Sequence, residues 1–320
     1  MKELNTQIFR DNIAIMQLTR KFATDLMKHS EYARNPKTLE QGLIHDISQS
    51  IHFRPRSTKL VAYHNEEKTA IGFLELKENT EKLYLIEGVF VDPNYRKMGV
   101  ANKLLNYATA LAKENGAKKI HLNVYTTNNN AINLYKKIGF KEISRTILGQ
   151  DYLTGFAPSR LIKRFLMGPG FLTKLSLGKD SELVELHANS KKNRETLFSI
   201  YQKCMDQRVV DFFEINADNL INGSRHVWQP PFFRNILIND LFNSFALIFN
   251  YPFSYKASVE LYSTSNAVIP SMLDDLLNTL ANRGISFAQI TLFKPSNTTI
   301  NWFEEKGMMI FQFVAMGKSL

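Results

Sequence analysis

An internal repeat constrains the fold of this chain more than any other feature of the sequence. Adding 168 to the numbers of residues 99–140 superposes them on residues 267–308 without a gap, so that Gly116 falls on Gly284. Only 7 of the 42 positions are identical, but helix, glycine, strand, helix, glycine and strand patterns follow in the same order in both segments. The repeat predicts two copies of one fold, and the length of 320 residues fits two domains.

A linker is predicted between the two copies. Glycine and proline interrupt the regular patterns at Met167–Gly170, a composition typical of a connecting segment. We therefore predict a first domain over residues 1–167 and a second domain over residues 171–320.

The first copy carries the patterns of an α/β (α+β) domain. Two helices are followed by three strands joined by short polar connectors, and then by two helix–strand units. Such an order predicts a mixed, largely antiparallel sheet flanked by helices. The predicted helices cover residues 10–29, 37–50, 98–115 and 131–138, and the predicted strands 59–64, 70–77, 82–91, 120–125 and 140–148. In the second copy, strands are predicted at residues 244–250 and 256–264.

The positive charge of the chain belongs to one half. The formal net charge is +10, and residues 1–165 hold 26 Lys and Arg against 16 Asp and Glu, whereas residues 166–320 hold 14 of each. The second half instead holds 15 of the 23 phenylalanines. A basic domain favours an anionic ligand, and the asymmetry indicates that the two copies have different roles.

Composition excludes several classes of protein. The single cysteine, Cys204, rules out a disulfide framework and a cysteine-based zinc site, and it favours a reducing compartment, so we expect a cytoplasmic location. No apolar segment follows Lys2 and no run of 18 apolar residues occurs, so we expect neither a secretory signal nor a membrane-spanning helix. The seven histidines lack metal-ligand spacing, so no metal site is expected.

A strand–turn–helix segment over residues 89–101 is suited to hold a phosphate. Small residues at positions 99 and 101 allow the backbone to approach a ligand closely, and the turn opens directly into a long helix. The amide groups and the partial positive charge at such a helix terminus attract phosphate or pyrophosphate. Arg96, Lys97 and Lys103 add cationic groups nearby. The alternative for the same segment is an ordinary connection between a strand and a helix.

Two blocks of the first copy resemble the GNAT acyltransferase superfamily. The acyl-CoA loop of that superfamily reads Arg/Gln-x-x-Gly-x-Gly/Ala after a Val-Asp-Pro strand end. The matching residues in the first block are Val91-Asp92-Pro93, Arg96, Gly99 and Ala101, and those in the second block are Leu122-Asn123-Val124, Asn128, Ala131, Leu134-Tyr135 and Gly139-Phe140. The strong resemblance covers residues 83–143, and a weaker one extends back to about residue 58.

The resemblance implies direct transfer of an acetyl group from acetyl-CoA to a primary amine of an unidentified acceptor. It implies that the backbone of the strand before the loop pairs with the pantetheine arm and stabilises an oxyanion. The loop and the helix start would bind the pyrophosphate. The implied cofactor-binding residues are Val89, Phe90, Val91, Arg96, Lys97, Met98, Gly99, Val100, Ala101, Asn102, Asn128 and Tyr135.

Two residues are the implied catalytic groups. Tyr135 stands where the family places a tyrosine that protonates the departing thiolate; the alternative is an aromatic residue packed in the core. Glu87 shares a predicted strand face with Val89 and Val91 and could take the proton of the attacking amine; the alternative is a solvated or ion-paired carboxylate. Asn128 would contact the pantetheine arm or serve as a helix N-cap.

One departure from the family limits the choice of acceptor. The family's ribosomal-protein N-terminal acetyltransferases carry a glutamate five residues before the cofactor asparagine, where this chain has Asn123. Neither their base nor their substrate is therefore transferred to this chain.

The second copy has lost the implied cofactor site. Under the same offset, the positions of Arg96, Gly99 and Ala101 become Thr264, Ala267 and Ile269. The position of Tyr135 becomes Phe303, which has no hydroxyl group. The sequence therefore predicts a tandem pair in which only the first domain binds acetyl-CoA and the second is degenerate.

A non-catalytic acyl-CoA sensor or scaffold is the alternative to an enzyme. Such a protein would use the bound cofactor to order a partner surface, and it would not need the hydroxyl of Tyr135. We expect no nucleic-acid or membrane partner, since the basic half carries no recognised nucleic-acid-binding motif. The acceptor amine and the oligomeric state are left open.

Overall fold

The computed structural model describes most of the chain and divides it into two compact units. The described residues are 12–18, 57–80, 82–152, 183–186, 190–221, 234–239, 243–250, 256–282, 284–294 and 296–320. Unit 1 comprises Met1–Asn123, Asn128–Lys141 and Met316–Leu320, and unit 2 comprises Val124–Thr127 and Glu142–Ala315.

Unit 1 is built on a mixed sheet. Its strands lie in the order β1-β2-β3-β4-β5, and all neighbours are antiparallel except β4 and β5, which are parallel. The strands are β1 (Ile13–Gln17), β2 (Ser57–His64), β3 (Thr69–Thr80), β4 (Leu83–Val91) and β5 (Lys119–Tyr125), and the helices are α1 (Val100–Glu114) and α2 (Asn129–Lys137).

Helix α1 covers one face of this sheet. Its apolar residues recur at helical spacing, and Val100, Leu104, Leu105 and Ala108 are buried. The helix contacts β1, β2, β3 and β4. A Cβ atom added to Gly72 of β3 would lie 3.0 Å from Val100 and 3.1 Å from Leu104, so Gly72 allows the close approach of α1 to the sheet.

The predictions for the first copy are confirmed from β2 to α2. Each of these strands and helices begins and ends within a few residues of its predicted bounds. The helix predicted over residues 10–29 is wrong at its start, because Ile13–Gln17 form β1, which pairs with β2. Backbone pairing of Ile13–Gln17 with residues 60–64 of β2 outweighed the helical spacing of the apolar side chains. The helix predicted over residues 37–50 lies outside the described residues.

Unit 2 is also built on a mixed sheet. Its strand order is β12-β6-β11-β10-β9-β8-β7, and β10 and β11 are parallel. The strands are β6 (Lys141–Tyr152), β7 (Val184–Glu185), β8 (Arg234–Asn239), β9 (Ser244–Asn250), β10 (Lys256–Ser263), β11 (Phe287–Phe293) and β12 (Met309–Ser319), and the helices are α3 (Lys191–Cys204), α4 (Gln207–Phe213), α5 (Ile269–Asn282) and α6 (Asn297–Glu305).

Both faces of the unit 2 sheet bury apolar side chains. Helices α5 and α6 contribute Leu273, Leu276 and Phe303 to the core on one face. Helices α3 and α4 contribute Leu197 and Val209 to the core on the other face. Each of these helices presents an apolar stripe that is removed from water against the sheet.

The sequence repeat is visible in the element bounds. Strand β11 begins and ends 168 residues after β5, and α6 begins and ends 168 residues after α2. The glycines that follow the paired helices, such as Gly116 and Gly284, all have positive φ, the backbone conformation that glycine adopts at helix C-termini.

The compact units do not coincide with the sequence repeats. Strand β6, the last strand of the first repeat, pairs with β11 inside unit 2. The end of β12, the last strand of the second repeat, lies in unit 1, where Leu320 N donates to Lys118 O over 2.9 Å and Lys318 Nζ donates to Ile138 O over 2.9 Å. The predicted boundary at residues 167–171 lies outside the described residues, so the domain ranges stay a prediction.

No helix in the described part of the chain is long and apolar enough to cross a membrane.

Candidate functional site

A β-bulge interrupts β4 in unit 1. Glu87 pairs with Glu75 and Phe90 pairs with Phe73, so Gly88 and Val89 together lie opposite the single residue between them on β3. Gly88 has a φ of +60°, a conformation that other residues rarely adopt. The extra residue disrupts the ladder locally and changes the direction in which backbone groups point.

The bulge also corrects the predicted strand face. Val91 pairs with Gly72, whose face is covered by α1. Glu87 pairs with Glu75, three positions further along β3, and so points to the opposite face. Glu87 therefore does not share a face with Val91 as predicted, because the extra residue in the bulge changes the alternation of side chains.

Strands β4 and β5 separate at the bulge. Their parallel register covers only Leu83–Ile86 opposite Lys119–Leu122, although β4 continues to Val91 and β5 continues to Tyr125. The β4 edge from Glu87 onward is thus not paired with β5. An edge of this kind offers backbone donors and acceptors to an extended ligand.

The loop after β4 leads into α1 through two left-handed residues. Lys97 has a φ of +64° and Gly99 a φ of +92°, and Gly99 is the N-cap of α1 without a side-chain hydrogen bond. The first amide groups of a helix have no partner within the helix. The N-terminus of α1 therefore presents amides that no capping side chain occupies, with the partial positive charge that binds phosphate.

The basic residues near this terminus differ in their surroundings. Arg96 is exposed, and its Nε donates to Val91 O over 3.1 Å, which fixes the guanidinium at the end of β4. Lys97 is exposed as well. Lys103 instead donates from Nζ to Ile13 O over 2.5 Å, so its ammonium joins α1 to β1.

Hydrogen bonds hold the loop in shape before it reaches Gly99. The carboxylate of Asp92 accepts from Asn94 N over 2.9 Å. The hydroxyl of Tyr95 donates to Glu67, and this hydrogen bond, more than burial, raises the pKa of Tyr95 to about 12. These contacts order the segment between the strand and the helix.

Helix α2 carries the other two predicted ligand-binding residues. Asn128 is its N-cap and accepts from Ala131 N over 3.2 Å through Oδ1, which leaves its amide nitrogen free of that role. Tyr135 is 7% exposed and packs against Phe140 with 6.1 Å between ring centroids. Burial raises the pKa of Tyr135, so the phenol stays protonated at neutral pH.

Glu87 is part of a group of charged side chains on the sheet face opposite α1. Its carboxylate is 42% exposed and accepts a hydrogen bond from Lys77 Nζ. That ammonium also lies 3.8 Å from the carboxylate of Glu75, a buried residue. The residues predicted from the sequence did not include Glu75, Lys77 or Gly88. The signals in the sequence that could have identified them are the two charged residues within the predicted strand 70–77 and the glycine within the next predicted strand.

The second repeat differs from this site in three respects. Pairing between β10 and β11 runs from Lys256–Phe287 to Leu261–Leu292, further than the pairing of β4 and β5. The connection from β10 to α5 is only Thr264–Val268, compared with Asp92–Gly99 in the first repeat. Phe303 is fully buried, and a Cβ added to Gly149 would lie 2.3 Å from its ring.

Unit 2 contains a separate cavity of about 310 Å³. Four of the charged residues that line it form two ion pairs, Arg145 with Glu142 and Arg208 with Asp206. The Arg208 side chain holds the pKa of Asp206 at about 2. Burial raises the pKa of Cys204 to about 11, so this thiol is not an activated nucleophile. No cluster of three metal-ligating side chains is found among the residues described by the structure.

The predicted site residues all lie in unit 1. The bulge and free edge of β4, the amides at the start of α1, and the start of α2 are contributed by one compact unit. Val100 is buried, so only its backbone can face a ligand. The functions assigned to the individual residues stay predictions.

The part of the chain that contains these residues is also the part that resembles known proteins. Residues 19–140 match the Acetyltransferase (GNAT) family. An N-alpha-acetyltransferase of Sulfurisphaera tokodaii is 37% identical over 87 residues, which cover 26% of this chain and 51% of that protein. The peptidyl-lysine N-acetyltransferase YjaB of Escherichia coli is 32% identical over 103 residues, which cover 31% of this chain and 63% of that protein. The chain thus covers less than two thirds of either relative.

A solved structure extends the likeness to the whole chain. The crystal structure of a GCN5-related N-acetyltransferase from Sphaerobacter thermophilus superposes with a TM-score of 0.56. The match covers 97% of this chain and 96% of that one at 10% identity. At this identity the likeness concerns the fold.

Proposed function

We propose, from the membership of this chain in the GNAT superfamily, that it is an N-acetyltransferase that moves the acetyl group of acetyl-CoA directly to a primary amine. Acetyl-CoA is the donor of the family and supplies the activated thioester. The observation that carries the proposal is the donor site of unit 1: a free β4 edge beside an uncapped helix N-terminus with Gly99 in a left-handed conformation.

Different residues of this site would bind different parts of acetyl-CoA. The amides of Gly99, Val100, Ala101 and Asn102 would bind the pyrophosphate, with the Arg96 guanidinium beside them. The backbone of β4 from the bulge to Val91 would pair with the amides of the pantetheine arm as an added strand does. A backbone N–H at the bulge would stabilise negative charge on the thioester oxygen.

Tyr135 would protonate the leaving group. When the carbon–sulfur bond breaks, the electron pair stays on sulfur, and a free thiol has a pKa of about 8.5. Burial raises the pKa of Tyr135, so the hydroxyl carries its proton throughout the neutral range.

Glu87 would accept the proton of the acceptor. An alkyl ammonium with a pKa of about 10.4 must lose a proton before its nitrogen attacks. The Glu87 carboxylate is half-exposed on the face opposite α1. The carbon–nitrogen bond forms as the carbon–sulfur bond breaks, and the amine proton passes to Glu87, directly or through water.

The second repeat would not bind a donor. Pairing of β10 with β11 continues to Leu261 and leaves only Tyr262 and Ser263 of β10 beyond it, and the ring of Phe303 occupies the space next to Gly149. We propose that this repeat has a structural role. Its strand β11 pairs with β6, the last strand of the first repeat, and the end of its strand β12 lies in unit 1.

Released thiol tests the proposal. The purified full-length chain is mixed with acetyl-CoA and a panel of primary amines, and free thiol is titrated over time. We expect release above the background hydrolysis rate for at least one amine. Tyr135→Phe should lower the turnover rate and keep the affinity for acetyl-CoA, whereas Tyr107→Phe, at an exposed position of α1, should change neither. Tight binding of acetyl-CoA with no release for any amine would instead support the sensor.

A further inference from the structure

Four charged residues form a row across β2, β3 and β4 of unit 1. Lys59 of β2 pairs with Glu75 of β3, and Glu75 pairs with Glu87 of β4. Lys77 of β3 lies between the two carboxylates, in contact with Glu87 and 3.8 Å from Glu75. Paired residues and residues two apart on a strand share a face, so the row lies opposite α1.

Two members of the row are buried with unused hydrogen-bonding capacity. Glu75 is 4% exposed and Lys59 is 7% exposed. In the described part of the chain, neither Oε1 of Glu75 nor Nζ of Lys59 has a hydrogen-bond partner. An unpaired buried charge is among the most costly groups in a protein, so these two atoms call for an explanation.

The second repeat shows that the fold does not require this row. In the first repeat, Leu83 of β4 lies opposite Lys119 of β5. In the second repeat, Lys256 of β10 lies opposite Phe287 of β11, and Phe287 is the counterpart of Lys119. The strand register therefore places Glu260 at the position of Glu87. The antiparallel partner of Glu260 is Leu247, and the partner of Leu247 is Ile236.

The counterparts of the row are mostly core residues. Lys59 corresponds to Ile236, Glu75 to Leu247 and Lys77 to Phe249, and all three apolar side chains are buried in one cluster. Glu260 itself is buried and accepts a hydrogen bond from Tyr262 over 2.8 Å. Apolar side chains at these positions form an ordinary core in the repeat that lost its donor site. The charges thus accompany the intact donor site.

We propose that the row binds an acceptor carrying both a primary amine and a carboxylate on the same carbon, as in an α-amino acid. This inference rests on the proposed function and names its substrate class. The amine would donate to Oε1 of Glu75, beside Glu87, and the carboxylate would accept from Nζ of Lys59.

Electrostatics selects this class of ligand. The row holds two ammonium groups and two carboxylates and is neutral as a set. A simple alkyl ammonium would add a net positive charge to a largely buried site, whereas a zwitterion adds none. Lys59 and Glu75 are paired residues on adjacent strands, which lie about 4.8 Å apart, so a ligand bound over this pair would lie beside both side chains.

Matched pairs of amines test the inference. Thiol release by the full-length chain is measured with L-lysine against cadaverine and with L-phenylalanine against 2-phenylethylamine, pairs that differ only in the carboxylate. We expect kcat/KM to be about ten- to a hundredfold higher for the amino acid, the effect of one charge-assisted hydrogen bond. Lys59→Ile, which installs the side chain of Ile236, should remove this preference, whereas Lys113→Ile, at an exposed position near the end of α1, should preserve it.

The outcomes separate this inference from the proposed function. Equal kcat/KM for both members of each pair overturns the zwitterion assignment and leaves the acetyltransferase intact. No release for any amine overturns the proposed function instead. Lys59→Ile also removes one positive charge from the row, so its melting temperature is measured together with its substrate preference. A lower melting temperature with an unchanged preference shows a purely structural Lys59 and refutes the assignment.

Discussion

Replacing Gly99 by alanine should weaken acetyl-CoA binding by distorting the loop before α1. Gly99 has a φ of +92°, and a residue with a Cβ pays about 1–2 kcal/mol in the left-handed region. The free loop can relax away from this conformation, whereas the bound loop must keep it. The free energy of binding is therefore weaker by about the strain energy. Since about 1.4 kcal/mol corresponds to a factor of ten, the dissociation constant should rise roughly five- to thirtyfold.

Gly116 provides a matched control at the other end of the same helix. It has a φ of +84°, and a Cβ there would meet nothing within 4 Å, so Gly116→Ala introduces the same kind of strain without a clash. It should lower the free energy of unfolding by about 1 kcal/mol and leave affinity unchanged. Titration calorimetry with acetyl-CoA measures affinity, and thermal melts measure stability. Parent-like affinity of Gly99→Ala, or equal loss of affinity in both variants, would refute the reasoning.

Three further predictions follow from the structure. Burial raises the pKa of Tyr135, so loss of the phenol proton should not lower the turnover rate below about pH 10. A pH–rate profile that declines near neutrality in the parent but not in Tyr135→Phe would contradict the assignment of Tyr135 as the acid. The pKa of Tyr95, about 12 in the folded chain, lies above the unfolded value of about 10. The unfolded chain therefore releases this proton first, and stability should fall between these two pH values, less steeply in Tyr95→Phe by denaturant titration. Gly149→Ala would place a Cβ 2.3 Å from the ring of Phe303. It should lower the free energy of unfolding of unit 2 by about 1–3 kcal/mol, measured by chemical denaturation, without changing the affinity for acetyl-CoA. An unchanged denaturation midpoint would exclude this tight packing.

Local patterns carried most of the element predictions. The apolar periodicity and terminal glycines predicted α1, β5 and α2 closely, because helix caps and turn conformations depend on neighbouring residues. The helix predicted at Ile13–Gln17 was wrong because a strand forms where another strand offers its edge. Such a partner, here β2, is distant in the sequence.

Strand register decided which candidate residues share a face. One extra residue at Gly88–Val89 turns Val91 toward α1 and leaves Glu87 beside Glu75. Periodicity alone cannot detect this change, since a bulge is defined by the pairing of two strands. The constant offset of the repeat likewise fails before α5, because the connection from β10 is shorter, and it did not reveal Glu260 as the counterpart of Glu87.

The sequence alone determined the repeat, the GNAT resemblance of residues 83–143 and the location of the loop before α1, because these depend on short-range spacing and on residue types such as Gly99. Tertiary structure alone decided that β6 pairs with β11, that β4 and β5 separate after Ile86, and that Lys59, Glu75 and Glu87 form one row. These are long-range pairings, and their free energy depends on which strands meet. No pattern within a single segment records that choice.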